Sequence, residues 1–170
     1  HYNGIHHQPK ALTESAVSLL RTNVGTKKVM DFVEEEKQGF LAMDNPDPKA
    51  DSLFLDMYNR IGQQFMTRKQ PQEAYAVYQK GLEADPDNAD LLFRIGLYHV
   101  AQKDYHQAVE WLLRAARNSE KLSKDSGDVE HTLALCYIVI GDQASACNYF
   151  TIAESKKYPT ATASKAKYCR

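Results

Sequence analysis

Apolar and small residues recur along this chain on two scales. Within a segment they fall three and four positions apart, and whole segments repeat. Tyr58, Ile61, Gly62 and Phe65 return as Leu92, Ile95, Gly96 and His99, with Gly62 and Gly96 34 residues apart. Ala74 and Tyr78 return as Ala108 and Leu112. A third copy reads Leu133, Ala134 and Tyr137, then Ala146, Phe150 and Ala153. Spacing of three and four marks one face of an amphipathic helix. The pattern predicts helix pairs over about 50–67 and 71–84, about 89–101 and 105–118, and about 128–140 and 143–156.

Turn residues fall where these helices must end. Lys69-Gln70-Pro71 separates the first pair, and Pro71 suits the first turn of a helix. Asp85-Pro86-Asp87-Asn88 closes that pair and caps the next helix, Gly141-Asp142 forms the third turn, and Pro159 ends the last long helix. One interval breaks the period. Gly96 to Ala134 spans 38 residues, and the excess lies in Asn118–Gly127, a polar stretch read as a flexible surface insertion or as a loop that touches a partner.

Outside the repeats the pattern is shorter. Residues 1–11 lack helical periodicity and read as a disordered or tag-like terminus; His1, His6 and His7 there suggest a frayed end rather than a metal site. Residues 12–48 form an N-terminal helical segment. Leu12, Ala16, Leu19 and Leu20 share one face of a short helix. A second helix, with Thr26 as its N-cap, carries Val29, Met30, Phe32, Val33 and Phe40 on its apolar side and runs to about Met43. Asn45-Pro46-Asp47-Pro48 marks a boundary, residues 49–159 hold the three repeats, and 160–170 form a C-terminal cap.

The sum is an all-α chain of three helix-turn-helix units. Gly62, Gly96 and Ala134 on each first helix, and Ala74, Ala108 and Ala146 on each second helix, are the small residues that let two backbones cross closely. A period of about 34 residues with small residues at these offsets resembles the tetratricopeptide repeat family over residues 50–159. The third repeat departs from the pattern, with Ala134 for the usual glycine and Glu130 where a large apolar residue is common. The resemblance implies a superhelix whose hollow is lined by the first helix of each pair. Those positions are Asp56, Asn59, Gln63, Met66 and Thr67 in repeat one, and Asp90, Phe93, Leu97, Val100 and Ala101 in repeat two. In repeat three they are Asp128, His131, Leu135, Ile138 and Val139.

This resemblance implies a non-catalytic module that binds an extended segment of a protein partner, as a chaperone or adaptor. Phe93, Leu97, Val100, Leu135 and Ile138 are the expected anchors beside Met66, and Asn59, Gln63 and His131 the expected polar contacts. Two other occupants remain open for such a groove: the chain's own N-terminal helices, or a second copy paired through them. The alternative function is a structural scaffold subunit of a larger assembly. Some relatives clamp a C-terminal carboxylate with basic residues, but Asp128 and Thr132 stand where the third repeat should supply them. In outline the chain also resembles the cytoplasmic chaperones of type III secretion translocators.

Composition narrows the field further. A formal charge of −1 supplies no attraction to nucleic acid. No apolar run reaches the roughly 20 residues that span a bilayer. No phosphate-binding glycine loop or His-Glu-x-x-His motif appears, so no catalytic residue, cofactor or metal is expected. The odd cysteine number reads as buried packing residues, Cys136 and Cys147, and a free thiol, Cys169, in a reducing cytoplasm.

Overall fold

The helices begin and end where the local chemistry dictates. In the computed structural model, which describes residues 14–16, 18, 19, 25–42 and 50–169, every extended element is helical. They are α1 (Thr26–Leu41), α2 (Ala50–Thr67), α3 (Pro71–Ala84), α4 (Ala89–Ala101), α5 (Tyr105–Arg117), α6 (Asp128–Ile140), α7 (Gln143–Ser155) and α8 (Ala161–Tyr168). The described residues between 14 and 19 are also helical, and Ala16 is buried. The expected tag-like terminus at 1–11 and the proline boundary at 45–48 lie outside the described residues. Thr26 proves to be the first residue of α1, with Gly25 in the cap position.

Side-chain caps recur with the repeat. Asn88 accepts a hydrogen bond from the Leu91 amide at 3.1 Å, Asp104 from the Gln107 amide at 3.3 Å, and Asp142 from the Ser145 amide at 3.0 Å. Each satisfies an amide left orphaned at a helix start. The tight turns inside the pairs share a device. Lys69, Lys103 and Gly141 all take positive φ, at 59°, 61° and 86°. Reversing direction in so few residues requires one left-handed residue, and only the third repeat spends a glycine on it.

The chain forms two compact units, His1–Asp85 and Pro86–Arg170. In the first, α2 packs on α3 around Phe54, Met57, Tyr58, Ile61, Phe65, Val77 and Tyr78, all almost wholly buried. α1 adds a third side to this core. Its Phe40 meets Phe54 edge-on at 5.9 Å, and Val29 and Val33 are buried. Burial, with Glu34 and Glu83 nearby, pushes the Tyr58 hydroxyl up to about 12. α1 therefore covers part of its own unit.

In the second unit α4 packs on α5, α5 on α6, α6 on α7 and α7 on α8. Ala108, Val109, Leu112, Leu133 and Cys136 form one core cluster, and Ala134, Ala146 and Phe150 another. The close crossings explain the small residues. A Cβ placed on Gly62 would lie 2.1 Å from Tyr78 Cε1, and one on Gly96 would lie 2.6 Å from Leu112 Cδ2.

Two cysteine expectations are overturned. Cys147 and Cys169 are joined in a disulfide that ties α7 to the residue after α8. Their Cα atoms lie 5.7 Å apart, inside the usual range for such a bond. Cys136 is the free, buried cysteine, and burial pushes its thiol up to about 11. The insertion is also less free than its composition suggests. A short 3-10 turn, Ser119–Lys121, opens it. The Ser123 amide and hydroxyl then donate to Asp90, at 3.1 Å and 3.0 Å, and Lys156 Nζ reaches Asp125 Oδ1 at 2.7 Å. Gly127, with φ at 81°, starts α6 against Ala153, Lys156 and Tyr158.

Candidate binding faces

The expected site residues divide between the two units. In the first, Asn59, Gln63 and Met66 lie along α2 and are half-buried, while Asp56 and Thr67 are exposed. Gln63 Nε2 donates to Asn59 Oδ1 at 3.0 Å, and Thr67 Oγ1 donates to the Gln63 carbonyl. These polar groups form a ladder one helical turn apart.

In the second unit, α4 and α6 carry the apolar positions. Leu97 is half-buried, Leu135 is 37% exposed and Val139 is 57% exposed. Leu135 and Val139, four residues apart, form one apolar strip on α6. Phe93 and Val100 are drawn further inward and pack against the cluster around Leu112 and Leu133. Ile138 packs on the other cluster, beside Phe150 and Tyr168. Val139 is thus the most open of the large apolar positions of the set. Its place in the positional count, one residue past Ile138, was the signal for it.

His131 is a correction. Its side chain is buried, 8% exposed, and faces the C-terminal cap. Nε2 lies 2.9 Å from Ser164 Oγ and 3.3 Å from Thr160 Oγ1, and the ring packs 4.5 Å from that of Tyr158. Burial lowers its pKa, against a smaller opposing pull from Asp128. A residue so enclosed has no face left for a guest. The positional count implied by the family resemblance placed it near the groove, but α8 packs over that end of α6, and no repeat motif encodes this. Asp90 is likewise engaged within the chain, by Ser123.

The cap is fastened at several points. The Tyr168 ring stacks on Phe150 at 6.0 Å, Gln143 Nε2 donates to the Tyr168 carbonyl at 2.6 Å, and Lys165 pairs with Glu154 at 2.9 Å. Glu130, the apolar-position departure in repeat three, is buried. Its Oε1 accepts from Lys156 Nζ at 2.8 Å, so Lys156 bridges α6 and the insertion. His99 is half-buried beside Trp111, and burial lowers its pKa.

Among the described residues no cluster of three or more His, Cys, Asp or Glu is placed to hold a metal ion. No helix among them is long and apolar enough to cross a membrane.

Residues 65–121 match the family model described as tetratricopeptide repeat. No curated protein matches the sequence. Among solved structures, the chain is similar to one titled for Pseudomonas aeruginosa PilF, at 21% identity and TM-score 0.65, over 94% of this chain and 67% of that one. It is similar to MamA from AMB-1 at 17% identity and TM-score 0.56, over 91% of this chain and 75% of that one. BtubC from P. vanneervenii shares 14% identity at TM-score 0.62, over 89% of this chain and 65% of that one. At such identities these likenesses speak to the fold alone. The matched segment, the three helix pairs and the small residues at their crossings agree: residues 65–121 are similar to the tetratricopeptide repeat, and the described chain has the fold of such repeats.

Proposed function

We propose that this chain is a non-catalytic adaptor that binds an extended, mostly apolar segment of a partner protein along α4 and α6. The observation that carries the reading is the open strip of Leu135 and Val139 on α6, with Leu97 half-buried on α4. Large apolar side chains exposed in series call for cover. Burying one such side chain contributes about 1.5–3 kcal/mol before ordering costs, so a few anchors suffice for micromolar binding. Asn59 and Gln63 remain candidates for polar contacts to the same kind of segment from the first unit.

We infer an oxidising compartment for the chain from its disulfide. Disulfides persist there and are rare where glutathione keeps thiols reduced, and Cys147–Cys169 is a structural bond of this fold. That argues against the cytoplasm, and with it against a cytoplasmic secretion chaperone.

The test is selection of binders from a displayed random-peptide library, followed by calorimetric titration of a selected peptide. Leu135→Asp and Val139→Asp are each expected to weaken that peptide at least about tenfold, because a carboxylate cannot be desolvated against an apolar guest. Both sites are exposed, so helicity stays unchanged. Undiminished affinity in both variants defeats the proposal.

A further inference from the structure

A second, separate feature lies among the outer helices of repeats two and three. A pocket of about 290 Å³ is lined by Leu113, Ala116 and Arg117 of α5, Ser119, Glu130 of α6, and Tyr149, Ile152 and Lys156 of the α7 end. None of these residues belongs to the strip described above. Its walls are largely apolar, and Glu130 sits among them with its side chain only 4% exposed. One carboxylate oxygen, Oε1, is satisfied by Lys156; the other, Oε2, is buried and meets no hydrogen-bond donor among the described residues.

An unsatisfied buried carboxylate oxygen costs free energy, and a native structure that keeps one has a reason for it. Charge makes the reason specific. Lys156 is shared between two carboxylates, Glu130 and Asp125, so this trio carries one net negative charge. Arg117, the other cation lining the pocket, is exposed. A positively charged donor on an apolar stem matches the trio, the buried free acceptor Oε2 and the walls of Leu113, Tyr149 and Ile152. One free oxygen suits a point-charge ammonium better than a two-pronged guanidinium. The volume, just below the roughly 300–1,000 Å³ of small-molecule sites, fits one side chain rather than a larger ligand.

We propose that this pocket is an anchor site for a lysine side chain of a protein partner, with the stem against Leu113, Tyr149 and Ile152 and the ammonium on Glu130 Oε2. The long, exposed side chain of Arg117 at its edge shifts to admit the guest, while Lys156 stays on Glu130 Oε1 and Asp125.

The probe is n-butylammonium, the lysine side chain in isolation, titrated into the folded protein while backbone amide resonances are followed by NMR. Saturable shifts are expected at Ala116, Ser119, Tyr149 and Ile152, with an apparent Kd on the order of 10 mM. Neutral 1-butanol, of the same length, is expected to bind at least about tenfold more weakly, as is n-butylammonium to Glu130→Gln. Ala116→Trp fills the pocket while leaving the Glu130–Lys156 pair in place, and is expected to abolish the shifts. That variant decides the matter should Glu130→Gln fail to fold. Absence of saturable shifts in the parent, equal affinity for 1-butanol, or shifts that persist in Ala116→Trp each overturn the proposal.

Discussion

Replacing Gly62 by alanine tests the reasoning about the repeat at its tightest point. The added Cβ would sit 2.1 Å from Tyr78 Cε1, 2.6 Å from Cζ and 2.7 Å from Cδ1. Ordinary carbon contacts lie near 3.5–4.0 Å, so ring and backbone must separate by more than an ångström. Tyr78 is 1% exposed and has no open direction to swing. Overpacking of this kind costs about 1–3 kcal/mol, and so close an approach belongs at the upper end. Against this stands the gain from removing a mid-helix glycine, about 1 kcal/mol. The expected net loss is about 2 kcal/mol, or a fall in melting temperature of about 4–8 °C for a chain of this size. Gly96→Ala should lose less, because its nearest contact, 2.6 Å to Leu112 Cδ2, is the end of a flexible side chain. Circular-dichroism melts of both variants, with Gly62→Ala/Tyr78→Leu as the relieved pair, make the comparison. The double variant should show favourable coupling, because the smaller side chain clears the clash. A Gly62→Ala protein as stable as the parent would refute the close-crossing account of the repeat.

Two further outcomes follow from the C-terminal cap. Cys147→Ser or Cys169→Ser opens a cross-link between residues 22 positions apart, and the expected destabilisation is about 3 kcal/mol, read by urea denaturation. Thiol titration of the unreduced, denatured chain should find one reactive cysteine, Cys136; finding three would show the bond absent. The buried His131 ring has a folded pKa below its ordinary value of 6.5, chiefly through desolvation. The unfolded chain then binds the proton more readily, so this contribution is full above about pH 6.5 and is lost as pH falls toward the folded pKa. The urea midpoint should drop across that window, and His131→Gln should flatten the drop; equal slopes in the two proteins would exclude His131 as the cause.

The periodic part of this fold was legible from residues alone, because it rests on short-range rules. Spacing of three and four fixed the helices, and Pro71, Asn88, Asp104 and Asp142 set their starts through local backbone chemistry. Gly62 and Gly96 announced their crossings, since a glycine inside a helix is costly and implies a neighbour that needs the room. What sequence could not supply was which distant groups meet. Cys147 lies on α7 and Cys169 just past α8, with nothing local to pair them, and only the docking of α8 on α7 brings them together. The same docking turned His131 from an expected groove contact into a buried partner of Ser164 and Thr160. Glu130 looked like a defect of the third repeat until Lys156 arrived, 26 residues along the chain from Glu130 and 31 from Asp125, to bridge the two carboxylates. Local pattern governs where helices form because each hydrogen-bonded turn involves only near neighbours. Burial, ion pairing and cross-linking depend on surfaces that exist only after those helices have packed.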